Sequence, residues 1–574
     1  MRKPIHPIFL LIGTVSVVLL INFLGTRFHG RIDLTEEKRY TLSPGTKDLL
    51  KRLPGEIKIT VFLEGDLPAA FRRLASSTQE MLDEFQQYSA SPLQVSFEKI
   101  GTGLEGESKN AYLDSMARLG LKPYTLQIKA KKEESIENRV IVPGAVVAYR
   151  GAVRGINLLS GQGSTTLDEQ ALNSSEALLE YHFAQAIHQL IDTAPPQIGY
   201  LLGNGESLND NIFHLSTLLR SLFRVSPVFI DSVRAIPSAL KVLLIMKPQL
   251  AFTNSQKLKI DQYVMQGGKV LWLLDRLYAE MDSLLRSRSD FIAYDRNLNL
   301  DDLLFRYGIR INPDLIQDLQ CDQIPLVVGN MGEQPQMQLV DWPYFPLLDP
   351  SATHPIAKNL NKVLSQFPNS IDTVSTPLLR KTVLLSSSRH TRILSTPALV
   401  SFASVETEED LKSFQRSSVP VAVLAEGEFE SLFRNRLSAS QTDSLLQQTG
   451  HSFQSQSVPT QMIVVSDGDI ATNSFSREGQ PLEMGMNPFT RVQYANKDFL
   501  LNCLDYLVDP KGIFQARAKE VTLRLLDPES VEQYSLVAQL ATLGGPLLVL
   551  LIVGLIIEAI RKKAFAVSML RKQE

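Results

Sequence analysis

Apolar residues are distributed along this chain in three patterns, and each pattern predicts a different element. Unbroken apolar runs stand near the two ends. Ile8 to Thr26 is 19 residues without a charge, and Leu536 to Ile560 is 25 residues whose one charge is Glu558. A bilayer core of about 30 Å takes about 20 helical residues, so each run predicts a membrane span. Neither run shows the polar stripe that a helix keeps at a protein surface. Arg2 and Lys3 precede the first run, as they would in a signal peptide. The apolar stretch is nevertheless longer than the about 7–15 residues of a signal-peptide core. No A-x-A site or lipid-accepting Cys follows it, so an uncleaved anchor is expected.

The second pattern, from Arg31 to about Ala194, alternates short apolar strands with helical periodicity. Ser43-Pro44 reads as N-cap and first helical position. Ile57 to Leu63 reads as a strand, and Ser77-x-x-Glu80 as a capping box opening a helix with Met81, Leu82, Phe85 and Tyr88 inward. Val95–Ile100 is the next strand and Ala111–Leu119 the next helix. Gly144–Tyr149 and Ile156–Leu159 form a hairpin around Arg150-Gly151, and Asn173-Ser174-Ser175-Glu176 starts a helix carrying Leu179, Phe183, Ile187 and Leu190. The order β-α-β-α-β-β-α is that of a thioredoxin-like domain, without the C-x-x-C that redox chemistry needs.

Pro195-Pro196 ends this pattern, because neither residue continues a helix. The third pattern is continuous apolar strands separated by helical stretches. The strands are Ile198–Leu202, Val225–Ile230, Val242–Met246, Val270–Leu274, Val383–Leu385, Val421–Leu424 and Met462–Val465; helices are expected at Asn211–Phe223 and Ser255–Gly267. Such strands predict a parallel sheet covered on both faces, a doubly wound α/β domain of flavodoxin or glutamine-amidotransferase-like type. The expected organisation is a short N-terminus (1–7), a span (8–26), the thioredoxin-like domain (27–194), and the doubly wound domain (195–510) with an inserted lobe around 280–370. A juxtamembrane segment (511–535), a second span (536–560) and a basic tail (561–574) complete it.

Charge then orients the chain. Arg561, Lys562, Lys563, Arg571 and Lys572 follow the second run, while Asp527, Glu529 and Glu532 precede it. Basic residues stay on the cytoplasmic side, so the C-terminal tail is expected there. With two spans the N-terminus is cytoplasmic too, although Arg27 and Arg31 blur the first span's own signal. The middle of the chain then lies outside the cytoplasm, which in a bacterium is the periplasm. Over the whole chain 58 Lys+Arg against 61 Asp+Glu leave no basic excess for nucleic acid. Two cysteines, Cys321 and Cys503, are too few for a disulfide scaffold or a Cys-rich zinc site.

Candidate chemistry is sparse. In open α/β sheets ligands bind beyond the carboxyl ends of strands. Gly203-Asn204-Gly205-Glu206 and Ser466-Asp467-Gly468-Asp469 both sit at such ends and form a candidate ligand or partner surface. Neither is a nucleotide fingerprint: position 208 is Leu, so the G-x-G-x-x-G spacing fails. Tight turns after strands account for both motifs without any ligand. Gly267-Gly268-Lys269-Val270 lacks the first Gly and the Ser/Thr of a P-loop, so no ATPase site is expected. The eight histidines make no H-E-x-x-H, and His182 and His188 fall on different helix faces. No catalytic, cofactor or metal residue is assigned, and an enzyme is not expected. Gly544, Gly545 and Pro546 interrupt the second span and are candidates for close helix packing in lipid.

Several segments, in order along the chain, resemble the gliding-motility-associated ABC transporter auxiliary proteins, the GldG family. These are Arg31 to Ser43 (RIDLTEEKRYTLS), Ile59 to Pro68 (ITVFLEGDLP), Asn173 to Tyr181 (NSSEALLEY), Val465 to Ile470 (VSDGDI), Asn496 to Cys503 (NKDFLLNC) and Lys519 to Asp527 (KEVTLRLLD). The resemblance implies an auxiliary subunit of an ABC-type complex in the inner membrane of Bacteroidetes. A polytopic permease and a separate cytoplasmic ATPase would be its partners, with links to gliding and to periplasmic motility or secretion components. Many relatives carry Gly-His-Gly-Glu where this chain has Gly203-Asn204-Gly205-Glu206, and Asn in place of His argues against acid–base work there. The alternative expectation is a membrane-held ligand-binding or degenerate hydrolase-like domain acting outside an ABC complex.

Overall fold

A computed structural model of the chain describes residues 41–101, 106–121, 123–129, 136–159, 169–192, 194–281, 283–284, 290–331, 334–402, 408–509, 512–519 and 539–570. It also describes isolated positions between 13 and 23 and at 534 and 537. The apolar run 8–26 therefore lies largely outside the described residues. The chain is mixed α/β and divides into two units, Met1–Val521 and Thr522–Glu574.

The first unit begins with α1 (Pro44–Lys51), β1 (Ile57–Val61), α2 (Ala69–Tyr88), β2 (Leu93–Phe97), α3 (Gly106–Arg118), β3 (Tyr124–Lys129) and β4 (Ile136–Ile141). Then come β5 (Gly144–Tyr149), β6 (Ala152–Asn157) and α4 (Glu169–Ile191). Ser43 caps α1, its side chain accepting from the Thr46 amide with Pro44 behind it, as the local sequence predicts. The sheet order is β2-β1-β5-β6, with β1 parallel to β2 and antiparallel to β5. Its apolar face (Ile57, Ile59, Val61, Val147) packs on Phe71, Leu74, Leu82 and Phe85 of α2 and on Leu179, Phe183 and Ile187 of α4.

Three expectations need correcting in this lobe. Ser77-x-x-Glu80 opens no helix: α2 starts at Ala69 after Pro68, because Phe71 and Leu74 extend the buried stripe upstream. Tyr88 faces solvent, beneath the Lys47 ammonium at 4.6 Å, instead of inward. The helix expected to start at Asn173 is already running at Glu169, and Asn173 instead accepts from Arg73 at 2.9 Å. In addition, β3 and β4 form a separate hairpin that the pattern did not announce.

Beyond Pro195-Pro196 come β7 (Gln197–Leu202), α5 (Phe213–Leu222), β8 (Arg224–Phe229), β9 (Val242–Met246), α6 (Asn254–Met265), β10 (Lys269–Leu273), β11 (Leu277–Tyr278) and β12 (Asp290–Asp295). They are followed by α7 (Asp301–Arg306), β13 (Ile309–Ile311), β14 (Asp314–Asp318), β15 (Cys321–Met331), β16 (Gln334–Pro350), β17 (Val363–Leu364), β18 (Ile371–Thr373) and β19 (Leu379–Ser386). Last come β20 (Thr391–Ser395), β21 (Ala398–Ser401), α8 (Glu408–Lys412), β22 (Pro420–Gly427), α9 (Ala439–Thr449), β23 (Thr460–Val465), α10 (Asn496–Val508) and a 3-10 helix at Ile513–Ala518.

The large sheet runs β15-β16-β19-β22-β23-β10-β9-β7-β8. Strands β23, β10, β9, β7 and β8 run parallel to one another. Alternate residues face opposite layers, as the period of two requires. Val242, Leu244 and Met246 pack with Leu215 and Leu219 of α5 and Phe499, Leu500 and Leu504 of α10. Leu243, Ile245 and Trp272 pack with Ile260 and Val264 of α6 and Leu303 of α7. Each such buried aliphatic side chain contributes about 1.5–3 kcal/mol.

The strands expected at Val383–Leu385 and Val421–Leu424 belong to this sheet but run antiparallel, β22 to β23 and β19 to β22. A strand buried on both faces reads as a continuous apolar run whichever way its neighbour points. Between β10 and β22 the chain builds β-rich structure. β14 pairs with β20 and β12 with β21, so the irregular stretch expected at 280–370 finds partners as far as Ser401. Cys321 is half-buried and Cys503 buried, and both are free thiols.

The second unit holds α11 (Gly545–Leu570), preceded by a π-helical turn, Leu540–Gly544. Leu540–Lys562 is long and apolar enough to cross a membrane. Pro546 has no N–H for the preceding turn, and a wider turn just before it accommodates that loss. A Cβ added at Gly544 or Gly545 would meet nothing within 4 Å, so neither glycine is demanded by packing within the chain.

Candidate functional site

The carboxyl ends of the parallel strands present one polar residue cluster after another. Taken in strand order, β23 leads into Asp467 and Asp469, β10 into Asp275, β9 into Lys247, β7 into Asn204 and Glu206, and β8 into Asp231. The two motifs singled out from the sequence thus share one sheet edge, with two strands between them. They do not share a pocket: Lys247 and Gln249 stand between them. Gln249 donates its amide to Asn204 O at 2.7 Å and its Nε2 to Lys247 O at 3.0 Å.

At one end, Asp275, Asp467 and Asp469 each offer an oxygen within 4.8 Å of the others. Lys247 supplies the countercharge, with Nζ at 3.0 Å from Asp275 Oδ2 and 2.5 Å from Asp469 Oδ1. Burial alone would lower the Lys247 pKa, but the two carboxylates outweigh it and hold the ammonium charged. Burial, together with the charges of Asp469 and Asp275, pushes Asp467 well above the carboxylate range. Asp469 is raised chiefly by burial, against the pull of Lys247. The lysine's own backbone lies at φ +46°. Gly468 lets it approach, since a Cβ there would lie 2.1 Å from Lys247 Cγ.

Asp467 faces the inserted strands instead of solvent. Its Oδ2 accepts from Ser365 Oγ at 2.5 Å and from the Gln366 amide at 2.7 Å. Ser466 Oγ donates to Asn369 O, and the Arg276 amide donates to Asn369 Oδ1 at 3.0 Å. Segment 365–370 therefore roofs the edge where an open α/β sheet would take a ligand.

At the other end, Gly203 (φ +140°) and Gly205 (φ +80°) turn the chain sharply after β7. The Gly203 and Asn204 amides point together, a nest that suits an anion. Glu206 Oε2 fills it, at 2.9 and 2.8 Å. Burial raises the Glu206 pKa against those two bonds, with nearby Asp231 adding to the rise. Asn204 Nδ2 donates to Gln256 Oε1, and Gln256 donates to Asp231 at 2.8 Å. Each would-be ligand position is thus held by a residue of the chain, an ammonium among the carboxylates and a carboxylate in the amide nest. Glu206→Ala should orphan two amides at a cost of about 1–3 kcal/mol each. Glu206→Gln keeps an acceptor and should cost clearly less, a ranking that urea denaturation of the two variants would check.

Lys247 and Asp275 escaped the sequence reading. Both directly follow apolar strands, and the strand-end rule applied to every strand would have found them. The carboxylate trio is a geometry that could hold a divalent cation only without Lys247, so no metal is assigned.

Comparison with known proteins follows these features. A family described as an ABC-type uncharacterized transport system matches residues 195–503, more than half of the 574-residue chain. A family described as a domain of unknown function matches residues 36–148. Among curated proteins nothing matches. Of solved structures, the mmIFT52 N-terminal domain matches at 13% identity and TM-score 0.29, over 55% of this chain and 96% of that one. The exo-beta-1,4-mannosidase Op5Man5 from Opitutaceae bacterium strain TAV5 matches at 9% identity and TM-score 0.21, over 80% of this chain and 51% of that one. Both likenesses are too slight to carry an argument. The match over residues 195–503 is the informative one, and by it the chain belongs to the auxiliary family of ABC-type transport systems.

Proposed function

We propose that this protein is a non-catalytic, membrane-anchored accessory subunit of an ABC-type transport complex, working with a separate polytopic permease and a cytoplasmic ATPase. The observation that carries the non-catalytic part is the filled sheet edge. Lys247 neutralises the carboxylates, Glu206 occupies the amide nest, and segment 365–370 covers Asp467. An edge satisfied in this way has no free acid, base or nucleophile poised over an open crevice.

Membrane attachment rests on Leu540–Lys562 and on the basic residues Arg561, Lys562 and Lys563 at its end. In this reading the C-terminal tail is cytoplasmic, run 8–26 is a second anchor, and the body between them is periplasmic on the bacterial inner membrane. The thioredoxin-like and doubly wound descriptions of its lobes belong to the same reading, as do the link to gliding motility and the packing role of Gly544, Gly545 and Pro546.

Purification of the full chain in mild detergent from its native membrane tests this. A polytopic permease and an ATPase should co-purify stoichiometrically. Recovery as a lone monomer, with both partners expressed, would remove the proposal's basis.

A further inference from the structure

The polar chemistry that the sheet edge does not use lies elsewhere, in the groove between the two lobes. Helix α4 of the first lobe lies against α10 and the 3-10 helix of the second, and the joint is not closed. A cleft of about 310 Å³ remains there, lined among others by Arg154, His182, Asp498, Lys497, Gln493 and Arg517. A second cavity of about 180 Å³ continues past Tyr181 and Gln185.

Arg517 is the unusual member. It is 2% exposed, and its guanidinium lies over the Tyr181 and Phe514 rings at 4.9 and 5.9 Å. Nε reaches Pro355 O at 3.2 Å and Nη2 reaches Lys358 O at 3.4 Å. A guanidinium carries five donors in a planar fork, and its bonds go to two carbonyls and Tyr181, with the charges of Asp498 and Asp505 acting on it from beyond ion-pair distance. Among the described residues it makes no ion pair. The buried carboxylate beside it, Asp505, already accepts from Tyr181 Oη at 2.7 Å and Gln185 Nε2 at 2.5 Å. Among the described residues the side chain of Lys497, half-buried on the same cleft, makes neither a hydrogen bond nor an ion pair. A buried cation without a paired anion is costly unless something else supplies the charge.

We infer that the interlobe cleft is a binding site for a small ligand bearing a carboxylate or phosphate group, held by the Arg517 fork and the Lys497 ammonium. The segment that carries Arg517 is anchored close by. Two residues beyond Arg517, Lys519 donates to Thr41 O at 2.6 Å and pairs with buried Glu180. A ligand held by Arg517 is thus held by the same segment, 512–519, that Lys519 ties to residue 41.

The test uses the full chain in detergent, with thermal unfolding followed in sodium phosphate, sodium acetate and sodium chloride at matched ionic strength. A saturable, millimolar stabilisation by phosphate or acetate over chloride is expected, and which anion acts identifies the class. Lys497→Ala should weaken it about 3–10-fold, as loss of one exposed charge contact does. Asp498→Asn, which removes a repelling carboxylate from the same wall, should strengthen it by a similar factor. Arg517→Lys keeps the charge but not the fork and should abolish it. The two surface variants decide the matter even if Arg517→Lys folds poorly. Equal stabilisation by all three salts, or an anion effect that neither Lys497→Ala nor Asp498→Asn changes, would overturn the inference.

Discussion

Lys247→Met should destabilise the protein by about 3–5 kcal/mol at neutral pH, the usual cost of stripping the partner from a buried ion pair. The substitution keeps the length and most of the apolar stem of the side chain, so the loss is electrostatic. Asp275 and Asp469 lose their countercharge while Asp467 stays buried among them. The sign with pH follows from the direction of the shifts. Asp467 and Asp469 have folded-state pKa values raised above the unfolded ones, and removing the ammonium raises them further. The folded state then binds more protons, so the variant should regain stability as pH falls through those raised values. The variant should also acquire a property the wild type lacks. Three carboxylate oxygens within 4.8 Å of one another can all reach one Ca2+ at about 2.3–2.6 Å. Millimolar Ca2+ should therefore raise the denaturation midpoint of Lys247→Met and leave the wild type unchanged. A variant as stable as wild type at pH 7, with or without Ca2+, would show that the ammonium does not hold this edge together.

Lys519→Met should have an effect of similar size in the first lobe, about 3–5 kcal/mol by the same reasoning. Glu180 is fully buried on α4; its Oε1 accepts from the Ser43 amide at 2.7 Å and its other oxygen pairs with Lys519. Removing Lys519 strands that carboxylate. The double variant Glu180→Gln, Lys519→Met should recover part of the loss, because a neutral amide tolerates burial better than a charge. Hydrogen exchange provides the distinguishing readout. Residues 41–51 and 512–519 should open together in Lys519→Met, since Lys519 joins them and Gly45 packs against Gly512. If exchange rises in one segment only, the two chain ends are not held by this contact.

How much of this was readable in advance depends on the range of each interaction. Ser43-Pro44 could be read because a cap is made by residues three positions apart. Ser77-x-x-Glu80 misled because the same spacing can occur inside a helix, and only the buried positions Phe71 and Leu74 reveal that the helix has already begun. The strand at Val421–Leu424 was visible as an apolar run, but its direction depends on β23 and β19, and burial on both faces erases any local sign of it. The Gly203–Glu206 and Ser466–Asp469 turns could be placed at strand ends. Their occupants were hidden because Lys247 meets Asp469 across 222 positions and Ser365 meets Asp467 across 102. Arg517 was hidden for the same reason: nothing within the 3-10 helix reports that α4 will place Tyr181 beneath it.

The Lys519–Thr41 contact also has a mechanical consequence. It joins residues 478 positions apart, so the intervening body is closed into a ring. Tension applied between residues 41 and 519 is therefore taken up first at this joint, where Lys519 also pairs with Glu180, Glu180 holds the Ser43 amide and Gly45 packs on Gly512. The two ends of the described body are thus pinned to each other by a small cluster of contacts centred on Lys519 and Glu180.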